Sequence, residues 1–164
     1  MVATTFGDAG AKAVEYFKGM KVVVVTHVTG RKGPDTQELT DENRKKIVSK
    51  GGILITAAHA FTGTEGAIRK KWDVHLYNDI IANTLYVLGQ GVKVCIEVAL
   101  MAADAGAVLT TENIVSISGT NHGADTALVM KPVPSSDFFN LRVAEILCKP
   151  YISTGSRPVP QPGA

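Results

Sequence analysis

Thiols are scarce in this 164-residue chain: Cys95 and Cys148 are its only cysteines, and neither stands in a CxxC pair or a His/Cys cluster. That excludes a disulfide-built scaffold and a cysteine-ligated metal centre. Cys95, among apolar neighbours, reads as a buried thiol, and a reducing, cytoplasmic setting fits. One-sided charge is also missing. Seventeen basic residues against 15 acidic ones leave a net charge of +2, too balanced for the concentrated basic face of a nucleic-acid binder. Long apolar runs are absent too. The longest, Val92 to Leu109, is interrupted by Lys93, Glu97 and Asp104, each costly in lipid. The N-terminus lacks the basic start and apolar run of a signal peptide. Neither a nucleic-acid nor a membrane partner is expected. GxSxG, GxxxxGK[ST] and HExxH motifs are absent, as are internal repeats.

What remains is the composition of an ordinary folded protein, 45% hydrophobic and 20% charged. Residues 1–150 read as one α/β domain and 151–164 as a Pro-rich tail. β-Branched runs alternate with helical stretches. Met1–Thr5 reads as the end of a strand, and Asp8–Lys18 as a helix with Ala11, Val14 and Phe17 on one face. Lys21–Thr26 (KVVVVT) is an unbroken apolar run, the mark of a strand covered on both sides. Gly30–Thr40 is a loop. Asp41–Lys50 is a helix capped by Thr40 or Asp41 and stopped by Gly51-Gly52. Gly52–Ala58 reads as a strand and Thr64–Lys71 as a short helix. Tyr77–Ala105 is helical, with a break or kink at Gly89-Gln90-Gly91. Asn113–Ser118 and Thr126–Lys131 are the fourth and fifth strands, and Phe138–Cys148 is expected as a last helix.

Strands one to four are joined by segments long enough for helical crossovers, so they can run parallel. Gly119–Asp125 is too short for a crossover, which makes strands four and five an antiparallel hairpin.

In such sheets ligands bind beyond the carboxyl ends of the parallel strands. Four loops fall there: Thr4-Thr5-Phe6-Gly7, Thr26-His27-Val28-Thr29-Gly30, His59-Ala60-Phe61-Thr62-Gly63, and Ser118-Gly119-Thr120-Asn121-His122-Gly123. Hydroxyls, glycine and free amides at a helix start suit phosphate. Thr4, Thr5 and Gly7 supply them in the first loop, and Ser118, Thr120 and Asn121 in the last. The bland alternative is that Thr5 caps the helix and the glycines only make turns. Asp8, in the helix's first turn, would compete with an anion for the same amides. His27, His59 and His122 all fall in strand-end loops, but no carboxylate partners them at a recognisable spacing. Ligand contact is therefore preferred over a metal site. His75 reads as structural or superficial, and Arg69-Lys70-Lys71 as a solvated face. Glu97 and Asp104, on one face of an apolar helix, are a paired acid and base or, preferably, acceptors for another segment's N–H groups.

The stretch Thr4-Thr5-Phe6-Gly7 entering a helix, with Ser118 to Val129 (SGTNHGADTALV) as a loop into an antiparallel strand, resembles the C-terminal α/β domain of pyruvate kinase. The resemblance is closer to stand-alone pyruvate-kinase α/β-like proteins of archaea and bacteria. It is carried by VVVTH at 23–27, ITAAHAFTG at 55–63 and IIANTLYVLGQGVKVCIEVALMAADAG at 80–106. It implies a three-layer α/β/α fold, a five-stranded mixed sheet of order 3-2-1-4-5 with strand five antiparallel, and a homo-oligomer. It further implies flavin mononucleotide (FMN) or a similar phosphorylated ligand in a cleft at the ends of strands one and four. Thr4, Thr5, Phe6, Gly7, Ser118, Gly119, Thr120, Asn121, His122, Asp125 and Thr126 would form its phosphate loops. His27, Thr29, Gly30, His59 and Phe61 would flank the organic part, Phe61 by stacking on a flavin ring. No catalytic barrel is present, so pyruvate kinase activity does not carry over. Asp8 stands where the kinase loop has a basic residue, and His122 where relatives have arginine. A binding domain is the leading expectation. A flavin-dependent oxidoreductase, with a histidine moving the substrate proton, and an assembling subunit without a ligand are the alternatives.

Overall fold

The computed structural model describes residues 1–120 and 122–151; Asn121 and all but Tyr151 of the expected tail lie outside the described residues. The elements in chain order are β1 (Val2–Ala3), α1 (Asp8–Tyr16), β2 (Val23–Val25), α2 (Asp41–Ser49), β3 (Ile53–Ile55), α3 (Gly63–Trp72), α4 (Tyr77–Tyr86), α5 (Gln90–Asp104), β4 (Ile114–Ser118), β5 (Thr126–Lys131) and β6 (Arg142–Cys148). They build one mixed sheet of order β3-β2-β1-β4-β5-β6. The first four strands are parallel, and β4–β5 is an antiparallel hairpin pairing Ile114 with Met130 and Ser118 with Thr126.

The period-two alternation of strand side chains explains the layers. Val24 packs with Val2, Ala11, Val14 and Ile47 under α1 and α2. Its neighbours Val23 and Val25 point the other way, with Ile55, onto Val98, Met101 and Ala102 of α5. A third cluster joins α5 to β5 through Val92, Ile96, Leu100, Leu128 and Met130. Burying each of the Val, Leu, Ile and Met side chains contributes about 1.5–3 kcal/mol. α2 starts where expected, the Thr40 hydroxyl accepting the Asn43 N–H at 3.2 Å. The long helical stretch breaks at Gly89, and α5 begins anew at Gln90.

α5 approaches the sheet closely because small residues line the contact. Ser118 donates to the Gly91 carbonyl at 2.6 Å, and Ser116 to the Cys95 carbonyl at 2.9 Å. At Gly91 a Cβ would collide with Thr126.

Among the described residues six strands replace the expected five, and the last helix is not formed. Residues Ser135–Asn140 make a 3-10 turn, and Arg142–Cys148 runs as β6, antiparallel to β5. The physical reason is that β5 would otherwise leave its backbone groups unpaired beside fully buried Leu128 and Met130. Val143 and Ile146 are β-branched and fit that edge. No helix among the described residues is long and apolar enough to cross a membrane.

Candidate functional site

Parallel β1, β2 and β3 end at Ala3, Val25 and Ile55, and β4, paired with β1, ends at Ser118. The four expected loops therefore share one edge of the sheet. α1 lies on one face and α5 on the other, so β1 and β4 flank the point where the crossovers change sides.

The first loop is a tight turn. Thr4 accepts the Gly7 N–H at 3.1 Å, and Gly7, at φ +104°, packs where a Cβ would meet Asn43 and Leu39. Asp8 does not cap its own helix. Its carboxylate accepts from Asn43 Nδ2 at 3.1 Å, and α1 starts with no side-chain cap. Phe6 is 43% exposed beside that open start.

The last loop is braced from within. Asp125 accepts the Thr120 N–H at 3.0 Å and the Thr126 hydroxyl at 2.6 Å. Burial would raise the Asp125 pKa; the hydrogen bonds from Thr126 and Thr120 outweigh it and hold the carboxyl below its usual range. The hydroxyls of Ser118 and Thr126 are buried and committed to Gly91 and Asp125. His122 is exposed. Gly119 lies so close to the Gly123 backbone that a Cβ would clash there.

Beside this loop, at the start of α5, lies a cavity of about 200 Å³. Gly89, Gln90, Gly91, Thr120 and Lys149 line it, with Tyr86 and Tyr151. α5, like α1, begins without a side-chain cap, so among the described residues no side chain claims the first-turn N–H groups beside this space.

The histidines have a partner that the sequence did not disclose. His27 Nδ1 lies 2.6 Å from Glu38 Oε2, a carboxylate that stands at no recognisable spacing from it in the sequence. Glu38 comes from the loop before α2, 11 residues away, a separation that no helical or strand period marks. The Gln37 side chain holds the same loop, donating to the His27 carbonyl at 3.1 Å and the Thr29 hydroxyl at 3.4 Å. Gly30 donates to Thr36 at 2.8 Å. His59 Nε2 accepts the Val28 N–H at 3.3 Å, and the two imidazole centroids are 5.4 Å apart. Burial pushes the His59 pKa below its ordinary value, Glu97 opposes this, and Arg31, His27 and Lys93 add to the lowering.

Beneath them lies a buried ion pair: Lys93 Nζ is 2.6 Å from Glu97 Oε2, and Glu97 Oε1 accepts the Phe61 N–H at 3.2 Å. Asp104 accepts the Ser135 N–H at 2.8 Å. Both carboxylates thus serve backbone amides of other segments, as preferred from the sequence. Phe61, expected to stack on a ligand, is 5% exposed and packs edge-on against Phe138, with centroids 5.7 Å apart. His75 is exposed, 3.9 Å from Asp79, which also pairs with Arg69. Among the described residues no group of three or more His, Cys, Asp and Glu could hold a metal. No protein-family model matches the chain.

Proposed function

We propose that the chain is a binding domain for a phosphorylated small molecule, with FMN as the first candidate. The observation that carries this is the polar cavity at the start of α5. There, the uncapped start of α5 shares the lining with Lys149 and Thr120. A helix N-terminus favours an anion through its unsatisfied N–H groups and its dipole, and a nearby ammonium adds a charge-assisted bond. The carboxyl-edge position of the loops and the resemblance of the 80–106 stretch to pyruvate-kinase α/β-like proteins support the same reading.

The residues fit the phosphate better than the flavin ring. About 200 Å³ suits a phosphate-sized group, whereas sites that enclose a drug-sized ligand reach about 300–1,000 Å³. Since Phe61 is sealed in the core, a flavin ring would lie toward Tyr86, 37% exposed, and Tyr151. FMN titration, read by flavin fluorescence, tests this. Lys149→Ala and Thr120→Val should each weaken binding about tenfold, the equivalent of one charge-assisted hydrogen bond, and inorganic phosphate should compete. FMN affinity that ignores both substitutions and phosphate rules the site out.

A second reading, assembly of identical copies, draws on the far edge of the sheet. Among the described residues β6 is exposed along its whole length and ends the strand order, so no described strand pairs with its outer backbone edge. An apolar groove of about 500 Å³ runs beside it, with Phe139 84% exposed. Sedimentation of the full chain and of an Ile146→Lys variant decides this. A wild-type protein that sediments as a monomer removes the reading.

A further inference from the structure

We infer that His27 and His59 form an acid–base pair that enolises a small, anionic carbonyl compound. Each imidazole has one nitrogen held by the protein, and the two are held in opposite senses. His27 Nδ1 faces the Glu38 carboxylate at 2.6 Å, so in the neutral ring the proton sits on Nδ1 and Nε2 is left as a lone pair. His59 Nε2 accepts the Val28 amide at 3.3 Å, so in the neutral ring the proton sits on Nδ1 and makes that nitrogen a donor. Among the described residues no protein group is hydrogen-bonded to His27 Nε2 or His59 Nδ1. The result is one base and one neutral donor with ring centroids 5.4 Å apart, at the strand edge where a ligand would sit.

That division of labour suits proton abstraction next to a carbonyl. His27 Nε2 takes the proton from the carbon beside the carbonyl. The C–H electron pair becomes the new carbon–carbon double bond, and the carbonyl π pair moves onto oxygen, which accepts a hydrogen bond from His59 Nδ1–H. Return of a proton from His27 to the same carbon lets the pair on oxygen re-form the carbonyl, so no oxidant or co-reactant is needed. Glu38 is the positioning residue, stabilising the imidazolium that forms at His27. The groups acting on His59 are Glu97, Arg31, His27 and Lys93. Glu97 is already paired with Lys93, which leaves Arg31, on the exposed loop, as the cation available to a substrate anion.

The test is deuterium wash-in from D2O, followed by proton NMR, with dihydroxyacetone phosphate, hydroxypyruvate and neutral dihydroxyacetone as probes. The full chain should exchange at least one of the two anions, and faster than the neutral compound. Which anion responds distinguishes a phosphate from a carboxylate. His27→Gln should slow exchange about 100-fold or more, the usual contribution of a positioned base. Glu38→Gln should lower kcat with little change in KM and shift the pH profile. Wash-in unaffected by His27→Gln, wash-in equal for the neutral probe, or no protein-dependent wash-in from all three overturns the inference. So does nitrogen-15 NMR showing His59 protonated at Nε2. The two readings fail separately: FMN affinity is read by flavin fluorescence without a carbonyl probe, and exchange by deuterium wash-in without FMN, so the loss of one leaves the other standing.

Discussion

Lys93 Nζ and Glu97 Oε2 lie 2.6 Å apart in the interior, one helical turn from each other, with the ammonium also over the rings of Phe61 and Tyr86 at 5.5 and 5.8 Å. A buried pair of this kind is costly to break and inexpensive to replace whole. Lys93→Met should destabilise the protein by about 3–5 kcal/mol, because the buried Glu97 carboxyl is left without its cationic partner. Lys93→Met/Glu97→Leu should cost less, despite orphaning the Phe61 amide. Urea unfolding measures both. A double variant as unstable as the sum of its singles means that the two charges are not coupled.

Acid should act through His59. Its pKa is lowered by burial from an ordinary value of 6.5, so the unfolded chain binds a proton there that the folded chain refuses. The stability contributed by the neutral ring is therefore complete above about pH 6.5. It is lost as pH falls from there through the folded value. Thermal midpoints across this range should fall more steeply for the wild type than for His59→Gln. Equal slopes would mean that His59 titrates as it does in the unfolded chain.

Gly91 decides how near α5 can come to the hairpin. Gly91→Ala should cost about 1–3 kcal/mol, the usual penalty of overpacking, since the added methyl meets Thr126. It should also loosen the loop that Asp125 braces. Calorimetry gives the first effect, and amide exchange at Thr120 the second. A fully stable Gly91→Ala would mean that the contact between helix and strand is slack.

The two thiols should behave differently. Burial raises the Cys95 pKa despite hydrogen bonds with Ser118 and Ser116, whereas Cys148 is exposed on β6. Iodoacetamide on the native protein should label Cys148 and spare Cys95 until the chain is unfolded. Prompt labelling of Cys95 would show that the seam between α5 and β4 opens readily.

Much of the sheet could be read from local pattern. KVVVVT announces a strand covered on both faces, and the structure gives Val23 and Val25 to α5 and Val24 to α1. The short link between Ser118 and Thr126 forced an antiparallel hairpin, and Gly89 broke the long helix. Phe138–Cys148 misled because a short apolar stretch fits either period, and only the unpaired edge of β5 selects the strand. Phe61 misled differently. A loop position suggests access to solvent, yet its amide is anchored by Glu97 and its ring is drawn into the core.

Sequence alone determined the α/β alternation, the parallel run and the edge where four loops gather, because each follows from periodicity and connection length over a few residues. Tertiary structure alone decided which nitrogen of each histidine is free, that Glu38 reaches His27, and that Lys149 shares a cavity with Thr120. These are meetings between segments distant in the chain. Their partners are selected by the packing of whole helices and strands, which no local pattern encodes.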